Sequence, residues 1–191
     1  MNTTGQSDDA RRAGFWPRRL DVAAFVNVAG QLSGQLALSE LPRLAEEAQG
    51  DVSSLEVIWQ VQGDQRAAGD GGLRPCLHVQ ADVTLPLSCQ RCLEPVQVAL
   101  EVNQYLLFAR DEASAEALAE VSEDDVLAMS RELDLITLIE DELLMAMPLV
   151  PRHDRCPHPV QMSVQDADFD AAEEEKPHPF AALAELKLRK H

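Results

Sequence analysis

The stretch LRPCLHVQADVTLPL, residues 73–87, decides the predicted fold. Every odd position from Leu73 to Leu87 carries an apolar residue or proline, whereas the even positions are mostly polar. This alternation is typical of a long β-strand with one buried face. Cys76 lies within the strand, and we interpret its thiol as a core group, because free cysteine behaves as a small apolar residue.

Similar alternation extends outward on both sides of this strand. Residues 31–38 (QLSGQLAL) and 54–63 (SLEVIWQVQG) precede it, and residues 96–102 follow it after the turn CQRCLEP. The glycine-rich stretch 63–72 predicts a hairpin loop. Strands that follow one another through short loops form an antiparallel meander with one buried face.

Helical signals lie before and after these strands. Ser39 is predicted to be the N-cap of a short helix that Gly50 ends. Residues 20–29 fit either a short helix or an extended segment, and residues 111–121 fit either a helix or a flexible acidic arm.

The strongest helical pattern covers residues 132–147. Its predicted inner face comprises Leu135, Leu138, Ile139, Glu142, Met145 and Ala146. Pro148 and Pro151 are expected to end this helix. The sequence therefore predicts an α+β fold, in which a few helices pack an antiparallel β-meander.

The chain length of 191 residues suggests one main domain. We expect a disordered N-terminus at 1–14, a single α+β domain at 15–160, and an acidic linker with a short basic-tipped helix at 161–191. Neither a signal peptide nor a membrane-spanning run is recognisable, so we expect a cytoplasmic protein without a membrane partner.

The charge balance is strongly acidic. The chain has 33 acidic and 16 basic residues, a net charge of -17, and residues 111–142 contribute eleven of those charges. This balance argues against a broad phosphate-binding face and favours a basic protein partner. The basic tip formed by Lys187, Arg189 and Lys190 is a possible RNA contact, although a solvated helix end has the same appearance.

The turn CQRC contains the clearest chemical motif. Two residues between Cys89 and Cys92 allow both thiolates to reach one tetrahedral ion. His153 and Cys156 are candidates to complete a closed zinc site, so zinc is the one cofactor considered. A reduced thiol pair without metal and a redox-active pair are the alternatives.

Three adjacent carboxylates, Glu140, Asp141 and Glu142, lie within the predicted helix 132–147. By its spacing, Glu142 is expected to point furthest inward, and a buried carboxylate could act as a general base. The alternative is a carboxylate that is bonded to the backbone or to an arginine. Consecutive carboxylates fan out around a helix, which disfavours a shared metal, and no catalytic residue is assigned.

Four blocks of sequence together resemble the bacterial YceD family, the large ribosomal RNA subunit accumulation proteins. They are LSELPRLAE (38–46), PLSCQRCLEPV (86–96), IEDELLMAMPLVPRH (139–153) with Cys156, and KPHPFAALAELK (176–187). The positions that match the family motif are Cys89, Cys92, Glu140, Asp141, Glu142, Pro148, Pro151, His153 and Cys156.

The resemblance implies a factor for the synthesis, processing or stability of 23S rRNA and for large-subunit assembly, without enzymatic activity. Its expected partners are a basic ribosomal or assembly protein and 23S rRNA, contacted directly or indirectly, and no small-molecule substrate is predicted. A metal-dependent RNA-processing hydrolase and a redox or zinc sensor built on the C-x-x-C remain alternative functions.

Overall fold

A five-stranded sheet is the centre of the fold. The computed structural model describes residues 14–69 and 71–158. The strands lie side by side in chain order: β1 (Gln31–Ala37), β2 (Glu56–Ala67), β3 (Leu73–Ser88), β4 (Pro95–Ala109) and β5 (Asp125–Ala128). The first four strands pair antiparallel, and β5 pairs parallel to β4.

Four α-helices accompany the sheet in the described residues: α1 (Val22–Asn27), α2 (Pro42–Glu47), α3 (Glu112–Ala119) and α4 (Leu135–Met145). The 3-10 turn Leu38–Glu40 joins β1 to α2. The predicted α+β class and the antiparallel meander are therefore confirmed. None of the helices in this part of the chain is long and apolar enough to cross a membrane.

The main core lies between one face of the sheet and helices α1, α2 and α4. From Leu77 to Leu87, the odd positions of β3 are all buried, as the alternation predicted. The two odd positions at the beginning of the strand are the exceptions, because Leu73 is 66% exposed and Pro75 is half-buried. Inner residues of paired strands lie opposite one another, for example Val61 and Val79.

A smaller core forms on the opposite face of the sheet, where α3 packs. It contains Ala68, Cys76, Leu107 and Leu118. Cys76 is fully buried, so its predicted place in a core is confirmed. Burial raises the pKa of its thiol to about 11. This thiol is therefore protonated at neutral pH and behaves as an apolar side chain.

The predicted hairpin loop 63–72 was too long. Strand β2 continues to Ala67 and β3 begins at Leu73. Gly63 lies inside β2, where a Cβ atom would come within 2.9 Å of the Val26 backbone. A glycine is therefore needed at position 63 because α1 lies close to the sheet there, and not because the chain turns.

The predicted inner face of α4 was right for Leu135 and Ile139, partly right for Leu138, and wrong for Glu142, Met145 and Ala146. The buried residues of this helix are Leu135, Ile136, Ile139, Glu140 and Leu143. Met145 is 84% exposed. Since successive helical residues are separated by about 100°, Glu140 and Glu142 point about 200° apart, to nearly opposite sides of the helix.

The beginning of α2 differs from the prediction as well. Ser39 lies within the 3-10 turn, and the residue before the helix is Leu41, whose side chain makes no capping bond. Pro42 occupies the first helical position, which suits its fixed φ angle. Residues 20–29 were predicted as a helix or an extended segment, and residues 111–121 as a helix or a flexible arm. The structure has a helix in both stretches. Apart from Gly14, the predicted terminal segments 1–14 and 161–191 lie outside the described residues.

Candidate metal centre

The turn between β3 and β4 contains both cysteines of the C-x-x-C. The backbone N–H of Cys89 donates to the carbonyl of Glu94 at 3.0 Å, and that of Leu93 donates to the carbonyl of Cys89 at 2.8 Å. We call this closed turn, residues 89–94, the knuckle. Leu93 adopts the left-handed conformation with φ 62°, which allows the chain to reverse direction within so few residues.

A second loop, residues 149–155, lies against the knuckle. The N–H of Gln90 donates to the carbonyl of Pro151 at 2.8 Å, and the N–H of His153 donates to the sulfur of Cys89 at 3.4 Å. The guanidinium of Arg91 also donates to the carbonyls of His153 and Asp154. These bonds fix His153 beside the two cysteines.

The imidazole of His153 is oriented as a metal ligand would be. Its Nε2 lies 3.1 Å from the carbonyl of Pro95, which can only accept a hydrogen bond, so Nε2 carries a proton. Its Nδ1 faces the sulfur of Cys92 at 3.4 Å. Ligating histidines commonly donate their second N–H to a carbonyl in this way. Nδ1 is therefore the nitrogen available to an ion.

The structure brings the four predicted ligands together. The sulfur atoms of Cys89, Cys92 and Cys156 and a ring nitrogen of His153 all lie within 4.8 Å of one another. In a tetrahedral zinc site, neighbouring ligand atoms are about 3.5–3.8 Å apart, given zinc bonds of about 2.0–2.3 Å. Movements of about 1 Å would thus close the cluster around an ion. Three thiolates and one imidazole can hold a metal such as zinc.

The environment of Cys89 favours its thiolate form. Burial would raise the pKa of this thiol, but hydrogen bonds from the backbone N–H groups of Cys92, His153 and Arg91 outweigh burial and lower the pKa to about 5. Metal ligation requires deprotonated sulfur. Cys89 is therefore prepared for an ion at neutral pH.

The carboxylates of α4 have three different surroundings. Glu140, at 5% exposure, is the buried member, so the prediction that Glu142 points furthest inward was wrong. Glu140 accepts hydrogen bonds from the backbone N–H groups of Arg43 and Leu44 at 2.8 and 3.2 Å, and from the guanidinium of Arg43. Its surroundings match the alternative interpretation, a carboxylate bonded to the backbone and to an arginine.

The other two carboxylates face elsewhere. Asp141 pairs with a second nitrogen of Arg43 at 2.6 Å, and Glu142 accepts from the side-chain amide of Gln104. Burial, followed by the charge of Asp125, raises the pKa of Glu142. The three carboxylates therefore do not converge on one point.

The two motif prolines connect α4 to the knuckle. Helix α4 ends at Met145, before Pro148, and the carbonyl of Pro151 accepts the bond from Gln90. The predicted RNA contacts Lys187, Arg189 and Lys190 lie outside the described residues.

Two participants in these sites were not foreseen. Arg43 neutralises the buried Glu140, and the Pro95 carbonyl fixes the ring of His153. Neither pairing could be read from the sequence, because Arg43 lies 97 positions from Glu140 and backbone carbonyls are the same in every residue.

Comparison with known proteins identifies the family. A family model described as "Large ribosomal RNA subunit accumulation protein YceD" matches residues 77–187. A protein of Haemophilus influenzae with the same description is 36% identical over 162 residues, which cover 82% of this chain and 87% of that relative. No solved structure matches the chain. The matched region includes the knuckle, α4 and loop 149–155, and the chain belongs to the YceD family of large ribosomal RNA subunit accumulation proteins.

Proposed function

We propose that this protein is a non-catalytic factor for the synthesis, processing or stability of 23S rRNA and for assembly of the large ribosomal subunit. The observation that carries the proposal is the match to a relative described as a large ribosomal RNA subunit accumulation protein, over 82% of this chain. Depletion of the protein should lower mature 23S rRNA relative to 16S rRNA. An unchanged ratio in depleted cells would contradict the proposal.

The surroundings of the α4 carboxylates support a non-catalytic role. Both oxygens of Glu140 accept hydrogen bonds, Asp141 pairs with Arg43, and Glu142 is bonded by Gln104. A metal-dependent hydrolase needs ligands that converge on its ion. Nuclease activity that the purified protein shows and that Glu142→Gln abolishes would favour the hydrolase instead.

A basic ribosomal or assembly protein is the proposed direct partner. Residues 111–125 carry seven carboxylates and no cation, and all but Asp124 of these acids are exposed. We call this region, which spans α3 and the beginning of β5, the acidic end. A surface of one charge sign attracts a partner of the opposite sign, and salt weakens the attraction.

Affinity capture from lysate at low and high salt tests this partner. The triple variant Glu116→Gln, Glu120→Gln and Glu123→Gln removes three charges from the acidic end. The matched control, Glu56→Gln, Asp82→Asn and Glu101→Gln, removes three exposed charges from β2, β3 and β4. Basic ribosomal or assembly proteins should be captured by the wild type and the control, and lost with the first variant. Equal capture by both variants would contradict the acidic end as the binding surface.

Zinc is the proposed occupant of the Cys89, Cys92, His153 and Cys156 cluster, where it would have a structural role. Three thiolates with one imidazole form a closed tetrahedral set that leaves no position for a substrate. Protein purified under reducing conditions without chelator should contain one zinc ion per chain. Cys89→Ser should lose it, whereas Cys76→Ser, which alters the buried thiol of the smaller core, should retain it. Wild-type protein without metal would contradict the zinc site.

A further inference from the structure

Of the ten arginines in the described residues, seven lie away from the knuckle and loop 149–155. Five form ion pairs with carboxylates: Arg18, Arg19, Arg43, Arg66 and Arg110. Around the knuckle the pattern differs, because Arg91 donates to two backbone carbonyls and keeps its full charge. Arg152 and Arg155 are exposed, and no carboxylate of the described chain lies within ion-pair distance of either. Elsewhere, Arg74 donates to the carbonyl of Leu73 and Arg131 is exposed. Arg91, Arg152 and Arg155 are thus grouped on the knuckle and loop 149–155, beside the acids Glu94 and Asp154.

The knuckle and loop 149–155 lie far from the acidic end. The knuckle precedes β4 and the acidic end follows it, so the 15 residues of this strand separate them. At about 3.3 Å per residue, the separation is roughly 45 Å. Charges on exposed surfaces are screened over about 8 Å at physiological salt. The acidic end therefore contributes little to the electrostatic potential at the knuckle, where the nearby acids are Glu94 and Asp154 in sequence and Glu47, which lines the same cavity as Gln90 and Leu149.

The same surface exposes aliphatic side chains. Leu149 is completely exposed and Val150 is 58% exposed. Leu93 is 72% exposed, and it also adopts the left-handed backbone conformation, which glycine accepts without strain. The turn requires this backbone conformation at position 93, but it does not require an exposed apolar side chain there, so the choice of leucine suggests a contact with a ligand.

We propose that the knuckle surface, formed by Arg91, Leu93, Leu149, Val150, Arg152 and Arg155, binds single-stranded RNA. Arginine binds phosphate with a planar pair of donors and stacks on bases, and no lysine occurs in the described residues. Exposed leucine can pack against unstacked bases. A basic protein partner fits this surface poorly, since its exposed arginines are themselves positive.

The inference rests on the proposed ribosomal function and adds the surface that touches RNA. It differs from the contact predicted at Lys187, Arg189 and Lys190, so the two surfaces can be compared in one experiment. RNA binding is measured on purified protein, whereas the proposed function is measured in cells as the ratio of 23S to 16S rRNA. Absence of RNA binding would contradict the knuckle surface alone, whereas an unchanged ratio of 23S to 16S rRNA would contradict the ribosomal function.

Binding of a short fluorescein-labelled single-stranded RNA to the full-length protein tests the proposal. Fluorescence anisotropy should show binding at about 50 mM salt that weakens as salt rises. The double variant Arg152→Gln and Arg155→Gln should weaken binding about tenfold, and the slope of log affinity against log salt should fall by about 0.7 per arginine. Leu93→Gly should weaken binding with little change in the salt slope, because it removes an apolar contact and glycine accepts this backbone.

Arg131→Gln is the matched control, because Arg131 is exposed and outside the knuckle surface. It should bind RNA within about twofold of the wild type. Thermal unfolding of each variant establishes that it is folded. The proposal is overturned if the wild type does not bind the RNA, if the double variant binds as tightly as the wild type, or if Arg131→Gln weakens binding equally. It is also overturned if only the variant Lys187→Gln, Arg189→Gln and Lys190→Gln loses binding, or if the double variant loses a captured protein and not RNA.

Discussion

Glu140 is the residue that connects α4 to α2. Its carboxylate accepts hydrogen bonds from the backbone N–H groups of Arg43 and Leu44 in the first turn of α2, which has no side-chain cap of its own. The guanidinium of Arg43 compensates its charge. A side chain from a distant helix thus replaces the local N-cap, and it also satisfies two amides that would otherwise lack partners.

We expect Glu140→Gln to lower the free energy of unfolding by about 1–3 kcal/mol, because the buried amides lose a charged acceptor. The loss is limited because Arg43 is half-exposed and can be hydrated. Asp141→Asn is the control, since it alters the other, exposed partner of Arg43 and should cost less than about 1 kcal/mol. Urea unfolding at pH 7 measures both. Equal losses in the two variants would contradict a capping role for Glu140.

Glu142 presents the opposite case, a carboxylate whose ionisation opposes folding. Burial and the charge of Asp125 raise its folded-state pKa above the unfolded value of 4.5. Ionised Glu142 therefore destabilises the fold above that pH, and the penalty disappears as pH falls below about 4.5. Glu142→Gln should raise the Tm at pH 7, while the two proteins should converge near pH 4. A lower Tm of the variant at pH 7 would refute this assignment.

At the scale of the element, α3 depends on its own N-cap. The carboxylate of Asp111 accepts from the hydroxyl and the backbone N–H of Ser114. These bonds and that from Arg110 lower the pKa of Asp111 to about 2. The unfolded value is 3.8, so the stabilisation by Asp111 is complete above about pH 4 and is lost as pH falls toward 2.

Asp111→Ala should therefore open α3 at neutral pH before the rest of the fold. Hydrogen exchange at the amides of Glu112–Ala119 should accelerate, whereas exchange in α4 should stay unchanged, because Asp134 caps that helix independently. Asp111→Asn is the control and should retain most of the protection, since asparagine is an equally good N-cap. Uniform acceleration in both helices after Asp111→Ala would show that α3 is not a separate unit.

At the scale of the whole molecule, two ends of the sheet differ in chemistry. The knuckle, with its cysteines and arginines, lies at one end of the sheet. The carboxylates of residues 111–125 lie at the other. Strand β4 belongs to both, because it begins beside the knuckle and finishes next to the smaller core. The same chain can therefore contact RNA at one end and a basic protein at the other, as the two proposals require.

Removal of the metal should act on only one of these ends. A chelator should lower the Tm and increase hydrogen exchange in the knuckle and in loop 149–155, since their ligands would separate. Exchange in α3 and β5 should not change, because the length of β4 separates them from the site. Restoration of the Tm by added zinc provides the control. Protection that falls equally at both ends would contradict a local structural role for the metal.

The two periodicities of the sequence account for most of the predicted fold. Alternation over 73–87 identified β3, because side chains on a strand alternate between its faces whatever lies around them. Strand β5 was not predicted, since its four residues carry little pattern and it depends on pairing with β4. The face of α4 was misplaced because apolar residues surround much of that helix, which leaves the choice to packing.

The sequence by itself determined the features that depend on near neighbours, namely the meander, a helix within 132–147 and the C-x-x-C spacing. Tertiary structure decided that Glu140 is the buried carboxylate. It also decided that Nδ1 of His153 faces the sulfur of Cys92. Arg43 lies 97 positions from Glu140, and Cys92 lies 61 positions from His153. Such pairs meet only after the sheet and helices have packed, and the burial that results selects the partners of each charge.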